Sequence, residues 1–236
     1  MPKQIDPKLA ENSTASSAAP LYRFTGHETF ALRYSWLPKA FFELSRDPQL
    51  FTDEPNAMVR LGVGRNMVKS FGFWVQAAGI AATAKNGVEP TSFGKSILDD
   101  KNGFDPYLED IRTLWLIHWE IASNATEPLF AWEFLFNRWQ HPEISRTEVV
   151  SAFLQEAGRM DRKLSSVTVE QHFDTFLHTY VPTRSSKGDV REDNLDSPLI
   201  ELDLIRRSGE KRLEGSGKTE SAYIFNRDAK PSVTPE

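Results

Sequence analysis

The sequence predicts a mainly α-helical protein with small β-hairpins, in which a winged helix-turn-helix is followed by a helical domain. Three observations predict this: a strongly periodic segment at residues 65–78, a glycine turn just before it, and an Asn-Gly turn just after it. Helix, short helix, glycine turn, helix and hairpin is the order of elements in a winged helix-turn-helix. A chain of 236 residues is also long enough to bury a sizeable core.

Residues 65–78 have the periodicity of an amphipathic helix. The apolar face contains Met67, Val68, Phe71, Trp74, Val75 and Ala78. The opposite face contains Arg65, Asn66, Lys69, Gly72, Phe73 and Gln76. Gly79 follows at the position where glycine commonly ends a helix. Phe73 is unexpected on a polar face, and it either stacks on a base or packs against the N-terminal part of the chain.

The other elements follow from caps, prolines and turns. Pro38 suits the first turn of a helix that runs to Leu44, and a short helix covers residues 55–61. Strands at 80–83 and 88–90 flank the Asn-Gly turn. Further helices are predicted at 91–98, 108–122, 129–139, after the capping box at 145–148, and around 169–180. A C-terminal hairpin would pair residues 202–205 with 222–225, and Asp196 or Ser197 would open a helix at Pro198.

These elements divide the chain into five regions. We expect a disordered tail at 1–20, a winged helix-turn-helix-like DNA-binding region at 21–99, and a helical domain at 100–182. A polar loop and the C-terminal hairpin occupy 183–227, and a frayed tail occupies 228–236.

Composition excludes several classes of protein. The chain has no cysteine, which excludes disulfides, thiolate nucleophiles and cysteine-bound zinc, and which suits a reducing cytoplasm. No run approaches the roughly 18 apolar residues of a membrane span. The net charge of −5 hides a segregated pattern. Residues 57–76 contain three basic residues and no acidic one, whereas residues 99–133 contain eight acidic residues and two basic ones.

The basic stretch indicates DNA binding. Arg, Asn, Lys and Gln are the side chains that read base edges or hold phosphates, and the major groove admits a helix. We therefore expect Arg65, Asn66 and Lys69 to contact DNA, with Arg60 and Gln76 in support. The alternative is that this is simply a solvated helix face, which is often basic.

A second candidate site lies near the N-terminus. His27 is a candidate general base, Glu28 a candidate acid, base or metal ligand, and Arg33 a candidate phosphate clamp. The alternative is that the surrounding aromatic residues form core while His27 and Glu28 bind backbone.

A third candidate is acidic. Asp105, Glu109 and Asp110, together with Glu28, are candidate ligands for Mg²⁺, which prefers one or two carboxylates plus water and phosphate. Residues 192–196 form a second acidic group. Asp105 can instead cap a helix that Pro106 begins. His118 lies on an apolar helical face and is more typical of a core histidine than of a ligand.

Three segments resemble the landmarks of one family: residues 24–37, residues 61–70 with Phe73 and Trp74, and residues 105–110 with 113–116. The sequence is similar to the SspB-like domain family of bacterial defence islands, formerly a domain of unknown function, over about residues 22–225. Pro38 and Gly72 depart from the helix-forming residues expected at their positions.

The resemblance implies a nickase component of single-stranded DNA phosphorothioation systems, with Mg²⁺ as cofactor. It implies DNA and sulfur-transfer proteins as partners: a desulfurase, an ATP-pyrophosphatase-type enzyme and an ATPase. We therefore expect a DNA-binding, Mg²⁺-dependent nicking endonuclease of a phage-defence system. The alternatives are a non-catalytic DNA-binding adaptor or regulator that recruits the sulfur-transfer enzymes, and a protein–protein scaffold. Homo-oligomerisation is left open. Without cysteine, the chain is not itself the sulfur carrier.

Overall fold

The computed structural model describes residues 21–182, 197–213, 215 and 217–233. Within them the chain forms eight α-helices and two small antiparallel sheets. The helices are α1 (Trp36–Arg46), α2 (Glu54–Leu61), α3 (Arg65–Ala77), α4 (Ser92–Leu98), α5 (Ile111–Ser123), α6 (Phe130–Glu133), α7 (Arg146–Arg159) and α8 (Ser166–Tyr180). The strands are β1 (Ala81–Ala84), β2 (Gly87–Pro90), β3 (Glu143–Ser145), β4 (Ile205–Arg212) and β5 (Thr219–Phe225). The predicted helices and small hairpins are present, but the fold is mixed rather than mainly helical, and the winged helix-turn-helix arrangement stays a prediction.

The turn between α2 and α3 depends on one glycine rather than two. Gly62 ends α2 with φ 64°, a left-handed conformation that glycine adopts without a steric penalty. Gly64, at φ −73°, precedes α3 in an ordinary extended conformation. The predicted glycine turn is therefore present, and only Gly62 has an unusual backbone angle in it.

The hairpin after α3 is confirmed. Ala78 caps α3, Gly79 follows it at C′, and β1 then pairs with β2 in antiparallel register. Ala84 is opposite Gly87, so Lys85 and Asn86 form the two-residue connection. The predicted strand positions were right to within a residue.

Two helix starts differ from the prediction. The first helix begins at Trp36, two residues before Pro38, so the proline lies in the first turn of α1 as predicted. The predicted helix at 108–122 begins only at Ile111, because the side chain of Asp110 accepts a hydrogen bond from the Arg112 amide and caps α5.

The predicted buried helix at 129–139 is split. It consists of α6 followed by a π-helical turn, Phe134–Arg138. The amide of Trp139 donates to the carbonyl of Phe134 at 2.8 Å, five residues back. Such π-turns occur mostly as single-turn interruptions of α-helices, and apolar periodicity does not distinguish them from the regular helix.

The predicted capping box at 145–148 takes another form. Ser145 does precede α7, but its hydroxyl donates to the Glu148 carboxylate at 2.9 Å instead of accepting from a backbone amide. Lys211 of β4 also binds Glu148 at 2.7 Å. The two carboxylate oxygens of Glu148 thus bind Lys211 of the sheet and the Ser145 hydroxyl rather than a backbone amide.

The second sheet has the order β3-β5-β4, so its central strand comes last in sequence. The C-terminal hairpin is present, but Leu202 is not part of it. Leu202 is the last residue of a 3-10 helix, Pro198–Leu202. Ser197 caps the start of this helix, because its side chain accepts a hydrogen bond from the Leu199 amide. The predicted tail at 1–20 and the polar loop with its acidic group at 192–196 lie outside the described residues.

A continuous cluster of buried apolar side chains runs from Phe24 to Ile205. The predicted frayed tail begins with residues that make contacts: Ser232 accepts from the Trp115 indole at 3.0 Å, and Lys230 donates to the carbonyl of Asp203 at 2.8 Å. None of the helices in the described ranges is long and apolar enough to cross a membrane. The predicted domain boundaries stay predictions.

Candidate nucleic-acid interface

Helix α3 has an exposed beginning and a buried remainder. Arg65, Asn66 and Lys69 are exposed, whereas every residue from Ser70 to Ala77 except Gln76 is buried. Gly72 and Phe73, which lie on the polar face of the predicted helix, are buried, and this agrees with the alternative in which Phe73 packs against the N-terminal part of the chain. The reason is that another part of the chain covers this side of the helix.

The covering element is the N-terminal segment (residues 23–30). The hydroxyl of Ser70 donates to the carbonyl of His27 at 2.9 Å, and the indole of Trp74 donates to the carbonyl of Phe30 at 2.9 Å. The ring of Phe73 meets the ring of His27 edge to face at 5.7 Å. Phe73 thus packs against the N-terminal segment, and the first two candidate sites of the sequence are neighbours.

The N-terminal segment holds unusual backbone conformations where it meets α3. Gly26 has φ 110°, and a Cβ there would lie 2.8 Å from Cδ2 of Phe73. Glu28 and Thr29 follow at φ 49° and 66°. Positive φ is a genuine outlier for a β-branched residue such as threonine, and such strain clusters at functional sites. The strain marks this segment as a candidate site.

His27 is bonded to a histidine of α8. Its Nε2 lies 3.0 Å from Nδ1 of His172, and the ring planes differ by only 14°. Ring centres 5.3 Å apart then mean that the rings meet nitrogen to nitrogen, not face to face. The other nitrogen of His172, Nε2, accepts from the backbone amide of Ala131 at 3.0 Å.

These contacts set the direction of the hydrogen bonds. Ala131 is fully buried, so its amide needs the His172 acceptor. A neutral His172 then carries its proton on Nδ1 and donates to Nε2 of His27. His27 in turn carries its proton on Nδ1, which lies 3.2 Å from the Thr175 hydroxyl. The Thr29 amide also lies 3.1 Å from this nitrogen. Because Thr29 is exposed, its amide loses less free energy than a buried amide would when this nitrogen does not accept from it.

Burial keeps the pair neutral. Desolvation, with the nearby Arg23 charge as a smaller cause, lowers the pKa of His27 to about 4. Desolvation and then the His27 charge hold the pKa of His172 well below its usual value. His27 is only 3% exposed. This network agrees with the structural alternative for His27, and the catalytic role stays a prediction.

His118 is a core histidine, as expected. Its Nδ1 lies 2.8 Å from the Tyr180 hydroxyl, and burial lowers its pKa to about 4. The same Tyr180 oxygen accepts from the Trp132 indole at 3.1 Å. All three groups are therefore held by the core.

The other two predicted catalytic residues differ in their surroundings. Glu28 is half-buried, and its carboxylate makes no hydrogen bond or ion pair with any residue that the structure describes. The guanidinium of Arg33 lies over the rings of Phe30 and Trp36, at 5.8 and 5.5 Å from their centres. Both roles stay predictions.

The five predicted DNA contacts fall into two groups. Arg65 is 70% exposed, although it pairs with Glu54 at 2.6 Å, and Lys69 has no ion-pair partner among the described residues. Asn66 is also exposed. The two residues predicted to support them, Arg60 and Gln76, bind other residues of the protein.

Arg60 lies between Glu43 and Asp47, with ion pairs of 2.6 Å to each. Gln76 donates to the carbonyl of Gly72 at 2.8 Å and accepts from the Thr83 hydroxyl at 3.1 Å. The contacts of Arg60 hold α2 against α1, whereas those of Gln76 fix the orientation of its amide.

A cavity of about 310 Å³ lies between α3 and the N-terminal segment. Apolar groups and two glycines form part of its lining, and Arg23, Glu54, Lys69 and Gln76 are its polar members. The guanidinium of Arg23 lies 4.6 Å from the centre of the Phe73 ring. The cavity therefore combines apolar surface with cationic and amide groups beside the exposed turn of α3.

The predicted metal ligands are not gathered into one site. Both carboxylate oxygens of Asp105 accept backbone hydrogen bonds, from the amides of Glu109 at 2.8 Å and Asp110 at 2.9 Å. Asp110 caps α5 and binds Arg112 at 2.6 Å, which lowers the pKa of Asp110 to about 2. In the described part of the chain, no three His, Asp or Glu side chains are placed to hold a metal ion.

The structure adds residues that the sequence did not single out. Arg23 and Phe51 line the cavity, and His172 and Thr175 complete the His27 network. One signal for His172 was visible: it stands next to Phe173 on the apolar face of its helix, where a histidine needs a buried partner. Nothing in the sequence marks Phe51.

Comparisons with known proteins agree with this architecture. A family model described as a protein of unknown function, DUF4007, matches residues 24–236. The crystal structure of SspB covers 90% of this chain with a TM-score of 0.74 at 26% identity. That of magnesium ion-bound SspB covers 90% with a TM-score of 0.73 at 25% identity. The chain spans 63% of the length of each of these structures. Among curated proteins, none matches the sequence.

Proposed function

This chain belongs to the DUF4007 family, and on that premise we propose that it is the DNA-binding component of a bacterial DNA phosphorothioation and phage-defence system. The similarity to SspB supports the assignment to such a system. Its partners would be DNA and the sulfur-transfer proteins: a desulfurase, an ATP-pyrophosphatase-type enzyme and an ATPase. The winged helix-turn-helix reading of α1 to β2 belongs to this proposal.

The observation that carries the DNA-binding proposal is the exposed beginning of α3. Arg65, Asn66 and Lys69 lie within its first five residues, and the amide groups of the first turn of a helix also favour negatively charged phosphate. Lys69 has no ion-pair partner within the described ranges, so it is available to a phosphate. Because the rest of α3 is buried, this helix would meet DNA with its end rather than with its length.

We further propose nicking of DNA as the activity to be tested, with Glu28 as the first carboxylate to change. Its half-buried carboxylate, which pairs with none of the residues that the structure describes, and the strained backbone around it support this choice. A magnesium requirement remains a proposal that follows from the magnesium ion-bound SspB structure. The residues described here do not fit a complete magnesium site, since Asp105 and Asp110 are engaged by backbone amides and Arg112.

The first experiment measures DNA binding by fluorescence anisotropy at several salt concentrations. A variant with Arg65→Ala and Lys69→Ala should bind more weakly, with a slope of log K against log salt that is smaller by about one unit per lost phosphate contact. Lys101→Ala, an exposed lysine in the acidic stretch, is the matched control. Isotherms equal to wild type at every salt concentration would exclude the end of α3 as the contact.

The second experiment tests catalysis on supercoiled plasmid with Mg²⁺, with EDTA, and with Glu28→Gln. Nicking that requires Mg²⁺ and falls in the variant would support a metal-dependent nickase. Nicking that survives both EDTA and the substitution would contradict it.

A non-catalytic adaptor is the second candidate function, and a surface feature favours it. The acidic stretch exposes large apolar side chains: Phe104 is 91% exposed, Tyr107 75% and Trp119 67%. Exposed aromatic groups are typical of surfaces that bind partner proteins. DNA binding without nicking, together with capture of a sulfur-transfer enzyme that is lost on Trp119→Ser, would favour this function.

A further inference from the structure

We propose that the cavity between α3 and the N-terminal segment holds one unstacked base of the bound DNA. This inference rests on the proposed DNA binding and adds which part of the nucleic acid the protein holds. It follows from the size, the walls and the polar groups of the cavity.

The size of the cavity suits a single base. At about 310 Å³ it lies at the lower end of the range of about 300–1,000 Å³ for pockets that bind small molecules. A base removed from the stack by rotation about its backbone is held in a small pocket of this kind. Lys69 is exposed at the beginning of α3 and also lines the cavity, so a strand held at the end of α3 would pass the cavity.

The walls are flat groups on which a base stacks. Phe51 lies against Gly72, and its ring atoms are 3.6 Å from the position that a Cβ of Gly72 would occupy. The Arg23 guanidinium, which also belongs to the lining, lies over the ring of Phe73, 4.6 Å from its centre. Aromatic rings and guanidinium planes are the surfaces on which proteins stack unpaired bases. Gly72 matters here because its missing side chain leaves room beside Phe51.

The polar groups suit the edge of a base. Gln76 is held by Gly72 and Thr83, which use one N–H and one lone pair of its amide. One N–H and one lone pair remain, and this donor–acceptor pair matches the edge of adenine. The amide therefore has a fixed orientation before a base arrives.

The charge suits the adjoining phosphate. Arg23 makes a single ion pair with the described residues, to Glu127 at 3.6 Å, which is longer than a hydrogen bond. Lys69 stands exposed at the rim. The acidic group of the lining, Glu54, is neutralised by Arg65 at 2.6 Å. The cavity as a whole is therefore cationic.

The test compares three DNA probes: a single strand, a perfect duplex, and the same duplex with one mismatch. An unpaired base costs less to extrude from a mismatch than from a perfect duplex. Wild type should therefore bind the mismatched duplex about tenfold more tightly than the perfect one. A 2-aminopurine placed at the mismatch should brighten on binding, because it leaves the stack.

The substitutions fill or remove parts of the cavity. Gly72→Ala adds a methyl group at ordinary contact distance from Phe51, so the fold is kept while the space is reduced. It should lower the mismatch preference at least severalfold and suppress the 2-aminopurine signal, and Phe51→Ala should do the same by removing a wall. Gly158→Ala, also a helical glycine but with open space around it, is the matched control and should bind like wild type.

The outcomes separate this inference from the DNA-binding proposal. Equal binding of both duplexes by wild type, or a mismatch preference that survives Gly72→Ala, would overturn the base pocket while DNA binding stands. Failure of wild type to bind any of the three probes would overturn the proposed function together with the pocket.

Discussion

Nε2 of His27 lies 3.0 Å from Nδ1 of His172, although 145 residues separate the two histidines in sequence. This bond joins the N-terminal segment to α8, and the Ala131 amide adds α6 to the same chain of hydrogen bonds. The three elements meet at this bond. A single extra proton on Nε2 of His27 would place its N–H opposite the N–H of His172. The acid stability of the fold therefore depends on this pair.

We expect the free energy of unfolding to fall as the pH is lowered. An unfolded histidine titrates near 6.5 and the folded His27 at about 4, so between these values the unfolded chain binds a proton that the folded chain does not. The stabilisation is complete above about pH 6.5 and is lost towards pH 4. For His27 alone, the loss between about pH 7.5 and 5 is about 2 kcal/mol.

Urea denaturation of wild type and His27→Gln at these two pH values measures this contribution. The variant should lose stability at the higher pH and show a weaker pH dependence. His178→Gln, at an exposed position of α8, is the control. A pH dependence identical in wild type and His27→Gln would show that His27 does not resist protonation in the fold.

Arg60 and Lys69 should respond differently to substitution. Arg60 is held between Glu43 and Asp47, so Arg60→Ala should lower the Tm and leave the salt dependence of DNA binding unchanged. Lys69→Ala should leave the Tm nearly unchanged and reduce the salt slope by about one unit. Thermal melts and anisotropy titrations on both variants check this. A reduced salt slope for Arg60→Ala would restore Arg60 as a DNA contact.

Gly26→Ala should destabilise the protein by about 2 kcal/mol or more. The residue has φ 110°, and the added methyl group would lie 2.8 Å from the Phe73 ring. Phe73→Leu in the same chain should relieve the clash but not the backbone strain, which gives a coupling energy of about 1 kcal/mol in a double-mutant cycle. Strictly additive effects would mean that the two residues do not meet as described.

Asp105→Asn should cost about 1–3 kcal/mol, because an amide side chain cannot accept both backbone hydrogen bonds. The loss should be the same in Mg²⁺ and in EDTA. Glu109→Gln, at a neighbouring exposed position, should have little effect. Stabilisation of wild type, but not of the variant, by added Mg²⁺ would instead identify Asp105 as a metal ligand.

The secondary structure could be predicted where local signals were strong. The periodicity of α3, the glycine that ends α2 and the Asn-Gly hairpin all depend on residues close in sequence, and each was found nearly in place. The split at Phe134 and the pairing of β3 with β5 were missed. The split depends on packing, and the pairing depends on a partner strand about 80 residues away. A periodic pattern in the sequence contains neither kind of information.

The candidate site could be predicted only in part. The sequence identified α3 and the segment around His27 as candidates, but not that one covers the other. Phe73 was the one visible sign, as an aromatic residue on a polar face. Residues such as Phe51 and His172 reach the site through tertiary contacts alone, so their roles could not be inferred from spacing.

The strand order β3-β5-β4 has a consequence for synthesis of the chain. The middle strand is the last to leave the ribosome, so β3 has no neighbour until residues 219–225 have emerged. The edge of β3, at residues 143–145, thus stays open while about 75 further residues are made, the interval in which unpaired strand edges invite wrong pairing. Because non-local pairing of this kind is slow, closure of this sheet is expected to be a late step in folding.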